Sequence, residues 1–249
     1  MSSTLSLVIP ALLAGILFSG SHAYVGLRLL DRGTMFAALA ITQFAALGTA
    51  IAVLTGHDLQ SIATEGCSLA FGLIAAALLP AVRRYRETAS AIAYVTAAAG
   101  TLLVLSFAPQ ELEHIKNMFA GNIAAVSLHT LLRIGIVYVA AAIVLARSSS
   151  ETLLYLMSGV IASLSVAIAG VLLVFSYLIV PSVAAMLFSR SIGKRLAIGW
   201  TMGALVTAFG VLLSFRIDLP TGATIVCTFG LALLVMAGAW ALTRRRNAV

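Results

Sequence analysis

Few residues in this 249-residue chain could do chemistry, because 61% of them are hydrophobic and only 9% are charged. Several polar or ionisable side chains nevertheless fall inside long apolar runs, where burial without a partner is costly, and four of them are candidates for a functional role. They are His22, Gln43, Glu65 and Cys67. Histidine, cysteine and carboxylate side chains bind divalent metal ions, whereas an amide binds them poorly. The sequence contains no nucleophile–base pair, glycine-rich phosphate loop or paired-cysteine motif, so independent enzyme activity has no support.

Each of these four residues also has a structural interpretation. His22 could bind a metal ion in the outer or middle part of a pathway, or it could be a hydrogen-bonded core histidine. Gln43 must find a partner across a helix bundle or in a water-filled cavity. Glu65 and Cys67 could line a pathway, but the carboxylate could instead reach up to the membrane surface. No metal site can be assigned from these positions.

The apolar runs that carry these residues are long enough to cross a bilayer, whose core of about 30 Å needs about 20 helical residues. We therefore expect an all-α, polytopic membrane bundle of eight or nine transmembrane helices, forming one domain over residues 1–249. Nine spans fit best, and eight spans with a re-entrant piece are the alternative. The predicted spans are Leu5–Leu27, Thr34–Thr55, Ser61–Val82, Thr88–Phe107, Leu128–Ala146, Thr152–Ala169, Val171–Phe188, Leu196–Phe215 and Ala223–Leu242.

Lysine and arginine gather in alternate loops, which explains the net charge of +7 better than nucleic-acid binding does. With nine spans, twelve of the fifteen basic residues fall on one side of the membrane. The positive-inside rule makes that side cytoplasmic, so we expect the N-terminus outside and the C-terminus in the cytoplasm. The clusters are Arg28 and Arg32; Arg83, Arg84 and Arg86; Arg147; Arg190, Lys194 and Arg195; and Arg244, Arg245 and Arg246.

A polar turn on the predicted outer side joins the last two spans, where residues 214–226 read SFRIDLPTGATIV. Pro220 would stop a helix, and Gly222 would tolerate unusual backbone angles. Asp218 or Thr221 could cap the last helix, while a functional carboxylate at Asp218 could attract cations. Other outer-loop groups could gather cations, dock a binding protein or be solvated loop charge: His57, Asp58, Glu111, Glu113 and His114.

Three further stretches carry motifs. Residues 176–200 read SYLIVPSVAAMLFSRSIGKRLAIGW and precede the Asp-x-Pro-x-Gly turn. Residues 118–127 read MFAGNIAAVS, and residues 24–28 read YVGLR. Together these stretches resemble the permease subunit of bacterial ATP-binding-cassette (ABC) importers for zinc and manganese. The resemblance touches most of the chain and is most specific in its C-terminal third.

The resemblance implies a permease that moves a divalent metal, zinc first and then manganese or iron, across a bacterial inner membrane by alternating access. It implies no cofactor on this chain, because a cytoplasmic ATPase partner would use ATP and Mg. An extracytoplasmic substrate-binding protein and a second copy of the chain would complete the complex in membrane lipid. The family's coupling helix, which would contact the ATPase, matches a basic segment of this chain, and without the resemblance that segment would be an ordinary positive-inside loop. Its residues are Ser189, Arg190, Ser191, Ile192, Gly193, Lys194 and Arg195.

The second span departs from the family pattern. Family members often carry Asp-x-x-x-His there, and the matching residues in this chain are Leu39 and Gln43. The usual metal site is therefore absent or built elsewhere. This leaves open a permease for a metal chelate, a siderophore or a cobalamin-type substrate. A secondary transporter would need buried acids at mid-helix, of which the chain has almost none, and a membrane scaffold is a further alternative.

Overall fold

The computed structural model describes residues 2–82, 84–107, 123 and 126–246. Within those ranges the chain forms nine long α-helices, as predicted, and each is long and apolar enough to cross a membrane. Glu111, Glu113, His114 and most of the motif at 118–127 lie outside the described residues. The helices are α1 (Ser2–Asp31), α2 (Met35–Leu54), α3 (Ile62–Leu78), α4 (Arg86–Ser106), α5 (Leu128–Arg147), α6 (Glu151–Ala169), α7 (Val171–Phe188), α8 (Ile192–Ile217) and α9 (Thr221–Arg246).

A break at Gly170 separates α6 from α7, which confirms that residues 152–188 are two helices and not one. Gly170 has φ 79° and ψ 160°, a conformation that residues with a Cβ rarely adopt. Its N–H donates to the Val166 carbonyl at 3.0 Å and ends α6, while its own carbonyl accepts from the Val174 N–H at 3.2 Å and begins α7. The chain turns here without a loop.

The helices pack in two groups. In one group α2 packs against α3, α4 and α6, and in the other α1, α7, α8 and α9 pack on one another. Helix α5 lies at the edge of the bundle, mainly against α1 and α6. Most of the interior of the bundle is one apolar core, to which both groups and α5 contribute.

Small residues allow neighbouring helices to approach closely. A Cβ at Gly26 of α1 would overlap the carbonyl oxygen of Leu178 in α7, and a Cβ at Gly48 of α2 would overlap the carbonyl of Cys67 in α3. Helices in a membrane associate largely by van der Waals packing, which such contacts maximise. These two crossings therefore fix α1 on α7 and α2 on α3.

The outer helices α4, α5 and α9 expose large aliphatic side chains. Leu103 is 65% exposed, Ile136 is 73% exposed and Leu234 is 71% exposed. Exposed apolar surface of this extent on every outer helix suits contact with lipid or with another membrane-embedded chain.

Candidate pathway and coupling site

His22 lies at the centre of the bundle and has no exposed surface. The rings of Phe18, Tyr138 and Tyr177 surround it, with centroid distances of 5.5, 6.1 and 6.4 Å. Its Nδ1 lies 3.1 Å from the Phe18 carbonyl, one turn earlier, and donates to it in the tautomer that this geometry favours. Its Nε2 is then an acceptor, and it has no hydrogen-bond partner in the described part of the chain.

The two tyrosines near His22 do not supply that partner. The Tyr138 hydroxyl bonds to Ser165, and the Tyr177 hydroxyl bonds to Thr207. Ser165 and Thr207 already donate their own protons to carbonyls one turn earlier, at 2.7 and 2.6 Å. The Tyr138 hydroxyl also donates to the Ile161 carbonyl at 3.3 Å, so both tyrosines bond to partners other than His22 and its Nε2 lone pair stays open.

Gln43 is buried on α2, with 4% of its surface exposed. Its Oε1 has no hydrogen-bond partner among the described residues. A buried acceptor without a partner costs about 1–3 kcal/mol, so such an atom needs an explanation. One turn earlier, Leu39 is half-buried and offers no ligand atom. The two positions that match the family's Asp-x-x-x-His thus present a single open amide oxygen.

Glu65 is 5% exposed, so it does not reach up to the membrane surface. Both of its carboxylate oxygens accept hydrogen bonds from Nη2 of Arg133 in α5, at 2.5 and 2.6 Å. The two helices share few other contacts, so this ion pair is a main link between α3 and α5. Cys67 is half-buried, and its backbone lies at the crossing of α2 and α3.

The predicted pathway residues are not gathered into a metal site. Among the residues that the structure describes, no group of three or more His, Cys, Asp and Glu side chains could hold a metal ion. His22, Glu65 and Cys67 therefore do not form a common ligand set. Among the buried atoms without a hydrogen-bond partner in the described part of the chain are His22 Nε2 on α1 and Gln43 Oε1 on α2, together with the hydroxyls of Ser90, Tyr155 and Ser163.

The predicted coupling segment is not a separate helix, and its role in contacting an ATPase stays a prediction. Only Ser189 to Ser191 lie between α7 and α8, and Ile192 to Arg195 form the first turn of α8. Three residues are too few for a helix that lies along the membrane. Arg190 and Lys194 are exposed, whereas Arg195 is held in place. Its Nη1 donates to Asp31 at the end of α1 at 2.8 Å, and its Nε donates to the Ser189 carbonyl at 2.8 Å.

Several basic residues at the same end of the bundle bind helix ends together. Arg28 Nη1 donates to the Leu145 carbonyl at 2.8 Å and to the Ser148 carbonyl at 3.2 Å. These bonds tie the end of α1 to the carbonyls at the end of α5, where helical partners are few. Arg86 at the start of α4 forms an ion pair with Glu151 at the start of α6. Part of the basic character of this end is therefore structural.

The turn between α8 and α9 differs from the prediction in its details. Asp218 has φ 52° and ψ 51° and ends α8, so the left-handed residue is the aspartate and not Gly222, which lies in the first turn of α9. Aspartate is one of the few residues with a Cβ that tolerates this conformation. Pro220 directly precedes α9, and Thr221, its first residue, bonds to Ser214 at 2.9 Å. In the described part of the chain, neither the Asp218 nor the Thr221 side chain accepts a hydrogen bond from the first backbone N–H groups of the last helix.

Taken together, the fold and these interior residues are those of a polytopic membrane protein with buried polar groups, a combination that suits a transport subunit. Helices of membrane-crossing length enclose buried polar groups, and a basic connection lies at one end of the bundle. Intramembrane polar groups are costly to bury and are typical of transport pathways.

Comparisons with known proteins agree with this class. Residues 137–239, from within α5 to within α9, match the model of the ABC 3 transport family. A search of the curated proteins found no match. PsaBC from Streptococcus pneumoniae, solved in complex with a Fab, aligns with a TM-score of 0.73 and 19% identity over 92% of this chain and 90% of that one. An inward-facing structure described as of the metal-chelate ABC transporter type aligns with a TM-score of 0.74 and 19% identity over 92% and 86%.

These matches confirm the resemblance to the ABC 3 transport family over residues 137–239 and show that the fold is shared with both structures. They also confirm the all-α membrane bundle. The match to a family of transport proteins agrees with the prediction of a non-catalytic membrane subunit.

Sequence reasoning missed several residues at this site. Arg133 was not predicted as a site residue, although it is ionisable and lies inside a predicted span like Glu65. Tyr138 and Tyr177 were missed because apolar runs give no sign of which aromatic rings meet. The Asp31–Arg195 pair was missed because nothing in the local sequence joins residues so far apart.

Proposed function

We propose that this chain is the permease subunit of a bacterial ABC importer for a divalent transition metal, with zinc expected first and manganese or iron next. The observation that carries this proposal is the match of residues 137–239 to the ABC 3 transport family. The shared fold over 92% of the chain supports it. The choice of metal rests on the sequence resemblance to zinc and manganese permeases.

The proposal requires partners. The sequence lacks a glycine-rich nucleotide motif, so a separate cytoplasmic ATPase would bind and use ATP and Mg. We expect a homodimer in the bacterial inner membrane, with the arginine-rich end in the cytoplasm. A substrate-binding protein would deliver the cargo at the opposite end. The exposed Arg190 and Lys194 beside the start of α8 would be contacts for the ATPase.

Transport would follow alternating access. Closure of the ATPases on nucleotide would push on the connection between α7 and α8, and α8 would transmit the movement to α1 through the Arg195–Asp31 ion pair. The open acceptors at His22 Nε2 and Gln43 Oε1 are the interior atoms that we favour for contact with cargo. Glu65 is a weaker candidate because Arg133 already neutralises it.

A permease for a metal chelate is the second candidate. The described residues hold no cluster of metal ligands, and Leu39 stands where the family often has aspartate. A chelate carries its own ligands, so it needs a cavity with fewer of them. The likeness to a structure described as of the metal-chelate ABC transporter type supports this alternative.

Uptake by proteoliposomes separates the two candidates. Vesicles that contain the permease, its ATPase and its binding protein are offered Zn²⁺, Mn²⁺, Fe²⁺ or a ferric chelate, each with and without ATP. ATP-dependent accumulation of a bare ion supports the first candidate. Accumulation of the chelate alone supports the second, and a failure to accumulate any of the four would refute both.

A further inference from the structure

An apolar groove runs along the surface of the bundle between α1, α5, α6 and α8. Its volume is about 650 Å³, within the range of about 300–1,000 Å³ that is typical of ligand pockets. Its walls are almost entirely apolar. A Cβ placed at Gly20 would meet no atom within 4 Å, so the groove is open at this point. Its apolar walls include Ile16, Leu17, Val139, Ile143, Ile161 and Trp200.

The groove lies on helices that cross the membrane, and water is a poor occupant of so apolar a space. Its wall at α5 belongs to the helix at the edge of the bundle, which packs mainly on α1 and α6. An elongated apolar occupant would therefore add contacts where this helix has few.

A cation lies beside one end of the groove. The Arg28 guanidinium lies 5.1 Å from the ring centroid of Tyr24, which lines the groove. The same guanidinium bonds to the carbonyls of Leu145 and Ser148, on either side of the groove residue Ala146. Arg147, the next residue along the chain, is exposed. The positive charges of Arg28 and Arg147 thus lie beside one end of the apolar groove.

We propose that this groove holds an acyl chain of an anionic phospholipid, whose phosphate lies against Arg28 and Arg147. Basic residues at a membrane surface attract anionic headgroups, and the apolar groove would hold the acyl chain of the lipid. A zwitterionic lipid would fill the same groove without this electrostatic gain. The proposal requires only that the chain spans a membrane, so it does not depend on which cargo is carried.

Trp200 allows the proposal to be tested directly. The chain has two tryptophans, and Trp240→Phe leaves Trp200, in the groove wall, as the sole indole. The variant is reconstituted in phosphatidylcholine vesicles that contain either brominated phosphatidylglycerol or brominated phosphatidylcholine, whose bromines quench tryptophan fluorescence. We expect phosphatidylglycerol to be preferred at Trp200 by at least about fivefold, since one basic residue near the surface contributes about 1 kcal/mol.

Two variants locate the headgroup and the acyl chain. Arg147→Gln should lower the preference for phosphatidylglycerol several-fold, whereas Arg216→Gln at the opposite end of the bundle should not change it. Gly20→Leu should fill the groove and reduce quenching by the preferred lipid. Gly230→Leu is its control, because a Cβ on α9 at that position also meets no atom within 4 Å.

Three results would overturn the proposal. Equal quenching by the two brominated lipids would mean that the groove does not select an anionic headgroup. Protection of Trp200 from both lipids would mean that protein, such as a second copy of the chain, covers the groove. An unchanged preference for phosphatidylglycerol in Arg147→Gln would show that Arg147 does not contact the headgroup.

Discussion

Arg133 neutralises Glu65 at a position where either charge alone would be costly. The Glu65 side chain is only 7% exposed, and both of its oxygens bond to the same guanidinium nitrogen. While this pair holds, Glu65 is not available to a passing cation. At the residue scale, the open acceptors that we favour for contact with cargo are therefore neutral: the imidazole nitrogen of His22 and the amide oxygen of Gln43.

Removing one member of the Glu65–Arg133 pair should cost more stability than removing both. Breaking a buried pair costs about 3–5 kcal/mol, and we expect about 1–3 kcal/mol for Glu65→Gln. The smaller figure allows for the Arg133 side chain, which is 39% exposed and partly solvated. The double variant with Arg133→Gln should recover part of the loss in thermal unfolding in detergent. Simply additive losses would show that the two side chains do not interact.

Gln43→Met tests whether the open amide oxygen contacts cargo. Methionine keeps the length of the side chain and removes an unsatisfied acceptor, so we expect equal or higher stability together with a changed uptake rate or selectivity. Thr42→Val is the matched control, because the buried Thr42 hydroxyl already donates to carbonyls of its own helix. Wild-type transport by Gln43→Met would assign Gln43 a purely structural role.

At the scale of the elements, the short connection before α8 is where force from an ATPase would enter. The paired Arg195 holds α8 to α1, whereas Arg190 and Lys194 are exposed. We therefore expect the double variant Arg190→Glu and Lys194→Glu to insert into the membrane and to retain the ATPase there. ATP hydrolysis should continue in this variant but should no longer drive uptake of cargo. Both rates are measured in the same vesicles.

The control for this charge reversal is Arg216→Glu, near the end of α8 that is remote from this connection. It should leave the ratio of uptake to hydrolysis unchanged. A wild-type ratio in the Arg190→Glu and Lys194→Glu variant would remove this segment from the coupling path.

The crossing of α1 and α7 should not tolerate a single added methyl group. Gly26→Ala would place a Cβ against the Leu178 carbonyl, so the helices must separate, at a cost of about 1–3 kcal/mol. Gly66→Ala on α3 makes the same change where a Cβ meets no atom within 4 Å. Thermal unfolding should show a lower melting temperature for Gly26→Ala alone. Equal melting temperatures would mean that the crossing is not tight.

The elements could be predicted from the sequence more fully than the contacts between them. Length and hydropathy located all nine described helices, and the placement of the basic clusters on one side of the membrane predicted that α6 and α7 are separate. The partner of Glu65 and the rings around His22 depend on which helix faces which, and helices that are apolar on nearly every side carry little of that information. The start of α8 could not be predicted for a different reason: Ile192 to Arg195 read as a basic loop but continue directly into α8 as its first turn.

At the scale of the whole molecule, two helix groups meet around a core in which α1 and α2 each carry one open polar atom. Relative movement of the groups would expose these atoms first to one side of the membrane and then to the other. The movement needs a source of energy, and the interior offers no buried acid free of a basic partner among the described residues that could couple it to an ion gradient. We therefore expect the driving force to come from ATP hydrolysis by a partner subunit.

Transport by defined vesicles tests this central claim most directly. The permease is reconstituted alone, and with its ATPase and binding protein, and accumulation of cargo is followed with ATP or with an imposed proton or sodium gradient. The account predicts accumulation only when the ATPase and ATP are both present. Accumulation by the permease alone, driven by an ion gradient, would contradict it.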